Sequence, residues 1–313
     1  MKTKMKTKHA LCGLLSGLLL LAAGTAQTHA GLLVPAAPGD ALYVANIGNN
    51  TIEKFTTGGV GSVFASSGMN QPYGLAFDSA GNLYTSNAAG NTIAKFTPGG
   101  VGSVFASTGL NNPGGLAFDS AGNLFVANYG NNTIQKFTPG GVGSLFASSG
   151  MSNPYAMAFD TGGSLYVSNW GTDTIQKFTT GGVGSLFAST VSHPSGLAFD
   201  SAGNLYSANH AANTIEKFTT GGVGSVFANT GLSLPVGLAF DSAGNLFVAN
   251  SGNSTIRQFS SSGADLGVFA DSSDGLNAPG SLAFGPVPEP GTVLLLGIGC
   301  VGFAALRRRR SAK

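Results

Sequence analysis

Cysteine is nearly absent from this 313-residue chain: Cys12 and Cys300 lie in the apolar stretches at its two ends. The long span between them offers no disulfide, thiolate nucleophile or cysteine metal site. Charge is scarce too, at 9% Asp, Glu, Lys and Arg, against about a quarter in ordinary globular proteins. An all-helical fold, whose solvated faces need such residues, does not fit, and neither does charge-driven disorder. Glycine is abundant at 49 residues, but no Gly-X-Y period accompanies it, which excludes a collagen. The formal charge of +2 comes from the ends, where Lys2, Lys4, Lys6 and Lys8 open the chain and Arg307, Arg308, Arg309, Arg310 and Lys313 close it. Between residues 31 and 286, six bases face twelve acids, a net of −6. A nucleic-acid-binding footprint is therefore not expected.

The two ends read as addresses. Residues 1–30 combine a basic start, an apolar run from about Ala10 to Ala23 and small residues suited to cleavage after Ala26 or Ala30. This is the pattern of a secretory signal peptide, with a short membrane anchor as the alternative. At the other end, residues 287–292 read V-P-E-P-G-T, residues 293–306 are a fourteen-residue apolar stretch, and the basic tail 307–313 follows. That stretch is short against the ~20 residues of a simple spanning helix, and the arginines favour a cytoplasmic tail. The combination of Pro288, Glu289 and Pro290 with an apolar segment and Arg307–Arg310 resembles the PEP-CTERM sorting signal of Gram-negative bacteria. The resemblance implies transient anchoring in the inner membrane, cleavage by an exosortase, and release or attachment at the cell surface. It also implies association with an extracellular polysaccharide matrix.

The middle is one unit written six times. Ala-Phe-Asp recurs with its Phe at 77, 118, 159, 199 and 240, and Phe284 ends a sixth copy that lacks the Asp. Each period of about 41 residues contains four short phrases: G-L-A-F, N-L-Y/F-V-A-N, T-I-x-K-F and S-V/L-F-A. Short, aromatic, β-branched runs bounded by Gly, Asn and Pro are strands. Several, such as Leu42-Tyr43-Val44-Ala45, are apolar on both faces, so the sheets are covered on both sides. D-S-A-G-N and T-T/P-G-G-V-G supply tight hairpins. Four strands repeated at this spacing make the blade of a β-propeller. The chain opens with the second to fourth strands of a blade and closes with a lone first strand at 281–284, which completes the ring and removes an open edge. The expected fold is all-β: a six-bladed propeller of four-stranded antiparallel blades over residues 31–286. The repeated phrases resemble the NHL repeat, whose six-bladed relatives include gluconolactonase-type lactonases and virginiamycin B lyase. A fold does not carry its function with it.

Candidate chemistry lies where the copies disagree. The two hairpins barely change. The residue after the second strand varies as Ile47, Ala88, Tyr129, Trp170, His210 and Ser251, and residues around the Pro before the first strand include Tyr73, Tyr155 and His193. Strand alternation puts these connections on one face. Tyr73, Tyr129, Tyr155, Trp170, His193 and His210 are therefore the candidate ligand-binding residues, suited to sugars or peptides by ring stacking. A catalytic residue is not expected. The alternative is a metal-dependent lactonase-like or lyase-like enzyme, which would use His193 and His210 as bases or ligands. Asp173 is the one carboxylate of the variable connections in blades two to five. The repeated Asn at the end of the second strand is read as a cap of its own turn, and the third-strand lysines as a solvated outer stripe. The A-F-D aspartates are assigned to turns; calcium is the weaker alternative, because D-x-x-G-N lacks the spaced oxygens of a calcium loop.

Overall fold

The computed structural model describes residues 40–189 and 191–286, so the signal segment, the apolar stretch 293–306 and the basic tail lie outside the described residues. The described chain forms six four-stranded antiparallel sheets. Blade 1 holds Asp40–Asn46, Thr51–Phe55 and Gly61–Ala65. Its innermost strand is the last of the described chain, Pro279–Pro286, which pairs with Asp40–Asn46. Blades 2 to 6 begin with inner strands Pro72–Phe77, Pro113–Phe118, Pro154–Phe159, Pro194–Phe199 and Pro235–Phe240. This is the six-bladed ring expected from the repeats, closed by the strand that the opening blade lacks.

The second strands are buried along their whole length, which explains their two-sided apolar sequence. Blades are joined by rings. Each second-strand aromatic meets the outer-strand Phe of its own blade and the inner-strand Phe of the next at about 5 Å, edge to face. Tyr84 does so with Phe105 and Phe118, and Phe125 with Phe146 and Phe159. Such pairs contribute roughly 0.5–1.5 kcal/mol each beyond area burial. Phe247 meets Phe284 at 5.1 Å in the same geometry, so the closing strand makes the same junction as every other inner strand.

The chain polarity sorts the connections between two ends. The inner strand runs from its Pro down to the D-S-A-G-N turn, and this turn and the Thr-Gly-Gly hairpin form one end. The connections between second and third strands, and between blades, form the other, called the mouth here. In the hairpin turns Asp78 Oδ1 accepts the amides of Ala80 and Asn82, and Gly81 takes φ 78°. The third-strand lysines are not a free outer stripe. Lys95, Lys136, Lys177 and Lys217 each sit 3.5–3.6 Å from the turn Asp of their own blade. Each also lies over the second-strand ring at 4.9–5.2 Å. The regular spacing fixed where the lysines sit along the strand but not this inward pairing.

Candidate functional site

Two devices build the mouth. The first is a staple between blades. Asn50, Asn91, Asn132 and Asn213 hold left-handed backbone with φ between 49° and 58°. The Oδ1 of each accepts, at 2.6 Å, the amide of the residue before the next blade's Pro: Gln71, Asn112, Asn153 and Leu234. The residues that donate to them are themselves left-handed, at φ 46–53°. Asp173 stands at this position in blade 4, with φ 53°, and its Oδ1 accepts the His193 amide at 2.7 Å. The carboxylate singled out from the sequence is thus a staple with one oxygen already engaged.

The repeated Asn at the end of the second strand also works across the loop between blades. Asn128 donates to Thr133 Oγ1 at 3.0 Å and to the Gly109 carbonyl at 2.9 Å, and accepts from the Asn111 amide at 3.0 Å. It ties down the incoming loop and not only its own turn, as the sequence reading had it. Asn209 differs, reaching Glu216 Oε2 at 3.1 Å.

The second device is a β-bulge near the start of every inner strand. Pro72 pairs with Asn87 but Leu75 with Thr85, so one residue is extra, and the same shift occurs in all six blades. A bulge re-aims the side chain beside it. The residue after Pro is Tyr73, Gly114, Tyr155, Ser195, Val236 and Gly280 in ring order. Tyr73 and Tyr155 therefore belong to inner strands rather than to loops, as the sequence had placed them. Tyr73 helps line an axial space of about 480 Å³, open mouth included, floored by residues such as Leu116 and Leu197. Between them blade 3 has Gly114, where a Cβ would stand 2.9 Å from the Tyr155 carbonyl oxygen. With no side chain there, Tyr73 and Tyr155 meet at 4.8 Å between ring centroids.

All six candidate residues join one ring cluster. Tyr155 contacts Tyr129 at 6.0 Å and stacks on Trp170 at 5.0 Å with the planes 31° apart. Trp170 meets His193 at 4.9 Å and His210 at 4.8 Å. Each of the six is half-buried. The cluster spans blades 2 to 5. The corresponding positions of blades 6 and 1 carry Val236, Ser251, Ile47 and Gly280, so the mouth has an aromatic side and a small or aliphatic side.

Burial favours the neutral forms of Tyr73, Tyr155 and His210. Burial, then the adjoining Tyr155 and Tyr129 hydroxyls, hold the Tyr73 phenol well above its ordinary range. Burial pushes Tyr155 up to about 12. Burial and the nearby His193 hold His210 below the usual 6.5 and so favour its neutral form. The Tyr73 hydroxyl and His193 Nδ1 are buried atoms without a hydrogen-bond partner. Asp173 Oδ1 stands 3.7 Å from that Nδ1, beyond hydrogen-bond length. Among the described residues no three His, Cys, Asp or Glu side chains converge on a point where a metal could sit.

Residues 64–266 match the model of the virginiamycin B lyase family, and residues 286–310 match the PEP-CTERM protein-sorting motif. No curated protein sequence matches the chain. Among solved structures, a chain of a nidogen/laminin complex is similar at TM-score 0.71 and 20% identity, over 79% of this chain and 98% of that one. A gluconolactonase from Xanthomonas campestris is similar at TM-score 0.58 and 19% identity, over 85% and 90%. A virginiamycin B lyase from Staphylococcus aureus is similar at TM-score 0.54 and 19% identity, over 70% and 71%. At these identities the likeness is one of fold.

Proposed function

The chain belongs to the virginiamycin B lyase family and carries a PEP-CTERM sorting motif; from that premise we propose an exported, surface-associated propeller that binds a ligand at its aromatic mouth without transforming it. The observation that carries the reading is the contact of Tyr73, Tyr129, Tyr155, Trp170, His193 and His210 in one half-exposed cluster. Six residues drawn from four blades, each departing from the repeat, meet there. Rings stack on sugar faces or on peptide side chains, and the phenols and imidazoles pair with hydroxyl or amide groups. The polysaccharide matrix implied by the sorting signal is the matching environment. Asp173 serves the scaffold, its Oδ1 accepting the His193 amide, and this favours binding over catalysis.

The test is a glycan and peptide array probed with the purified protein, with and without calcium. Binding should occur, and Trp170→Ala should weaken it by about five-fold or more, equivalent to roughly 1 kcal/mol per ring. Binding that is unchanged in a Tyr129→Ala, Trp170→Ala double variant would leave a matrix protein with no specific ligand at this face.

A second reading is kept because two observations favour it. The family is that of a lyase, and His210 is held in its neutral, base-competent form. In a lyase or lactonase, turnover of a cyclic ester or lactone would be lost in His210→Ala and would show a group titrating below about 7. Such turnover would replace the binding reading.

A further inference from the structure

The closing strand carries a second consequence. The last described residue, Pro286, lies at the hairpin end of the innermost strand, paired with Asp40. The aromatic mouth lies at the opposite end, where Pro279 pairs with Asn46. The sorting motif starts at residue 286, so the tail leaves from beside the central axis on the face away from the rings. Only residues 287–292 separate Pro286 from the apolar stretch 293–306. Seven fully extended Cα steps reach at most ~25 Å.

We propose that while the C-terminal segment anchors the chain, this short axial tether holds the hairpin end against the bilayer and presents the mouth outward, to soluble or matrix partners. Turning the mouth to the lipid would require the tail to cross three strand spacings to the rim, about 14 Å, and to climb the five-residue outer strand Gly61–Ala65, about 17 Å. That path of about 31 Å exceeds the reach. A centrally attached tether also tilts the ring less than one attached at its rim. The hairpin end suits lipid headgroups electrostatically. Four of its turn aspartates are matched by lysines at 3.5–3.6 Å, so this end carries little excess charge. Strand polarity and tether length suffice for this orientation whether or not the mouth binds a ligand.

The experiment uses the chain without its signal segment, residues 31–313, with Cys300→Ser, reconstituted in phosphatidylcholine vesicles that contain a nitroxide-headgroup lipid as a short-range quencher. A fluorescent probe is attached at Ala121→Cys in a D-S-A-G-N turn, or at Ala211→Cys in the mouth connection after His210; both positions are exposed. The Ala121 probe should be quenched roughly two-fold or more beyond the Ala211 probe, since about one strand height of ~20 Å separates the two ends. Inserting about 30 Gly/Ser residues after Pro286 extends the reach past ~100 Å and should erase the difference. Equal quenching with the native tether, or stronger quenching at Ala211, would overturn the proposal. So would a difference that survives the insertion, because an affinity of one face for lipid would then set the orientation.

Discussion

The two ends of this propeller are made by the same six copies, yet they carry different information. At the hairpin end the same turn recurs from blade to blade, with Asp78, Asp119, Asp200 and Asp241 accepting the amide two residues on. At the mouth the copies diverge, but only at some positions. The staple asparagines and the asparagines that end the second strands are kept, with Asp173 and Ser254 as the substitutes in the staple. The residues that change are the one on each side of the inner-strand Pro and the one after the second strand, positions whose side chains take no part in the staple. Divergence at the mouth therefore reflects freedom from scaffolding. That freedom is used to join six rings in one chain of contacts on blades 2 to 5.

The largest expected effect comes from removing the strand that joins the two ends. Deleting Pro279–Pro286 strips Asp40–Asn46 of its inner partner and Phe247 of its contact with Phe284. Size-exclusion chromatography should show aggregation, and the cooperative melt should be lost. A monomer with an unchanged melting temperature would mean that the ring closes in some other way.

Next comes a staple. Asn132→Ala removes the acceptor of the Asn153 amide and puts Ala at φ 58°. The cost should be about 1–2 kcal/mol, a fall of roughly 2–6 °C in Tm for a domain of this size. Asp173→Asn should differ sharply. Asn already fills the same position in four other blades, so stability should move by no more than about 0.5 kcal/mol. Ligand binding should persist. Loss of an activity in Asp173→Asn would instead make that carboxylate chemical.

The smallest effect separates the two histidines' surroundings from a generic surface. Trp170 is the chain's one tryptophan, and it touches His210. A protonated imidazole quenches indole and His193 also touches Trp170, so in a His193→Gln background its fluorescence should fall on acidification with a midpoint below 6.5, the value from which burial, the larger cause, lowers His210. His210→Gln should flatten that response. The sign for stability follows. The unfolded chain binds this proton more readily than the folded one, so His210 draws stability away as pH falls below about 6.5 and has no such effect above it. A midpoint at or above 6.5 would show that His210 is not shielded in this way.

Much of this was legible in the residues. The period, the four phrases and the orphan strand at each end determine six closed blades, because a sheet apolar on both faces must be covered on both sides. Polarity along the chain placed the unusual residues on one face. Other features were hidden for identifiable reasons. The staple joins positions 21 residues apart in neighbouring blades, and a one-blade reading sees only an extra Asn in a turn. The bulge after each inner-strand Pro leaves no trace in composition, so Tyr73 and Tyr155 read as loop residues. The lysines looked solvated because their matching Asp and ring come from other strands of the blade.

The most direct test of the account compares two-residue variants at the two ends. Wild-type protein, a mouth variant (Tyr155→Ala with Trp170→Ala) and a hairpin-end variant (Ala121→Ser with Ala202→Ser) are titrated with a saccharide or peptide selected on the array, by isothermal calorimetry. The account predicts that the mouth variant loses affinity about ten-fold or more, as expected for two stacking rings, while circular dichroism stays that of the wild type and the hairpin-end variant binds unchanged. Equal affinity in all three proteins, or heat of turnover that depends on His210, would contradict it.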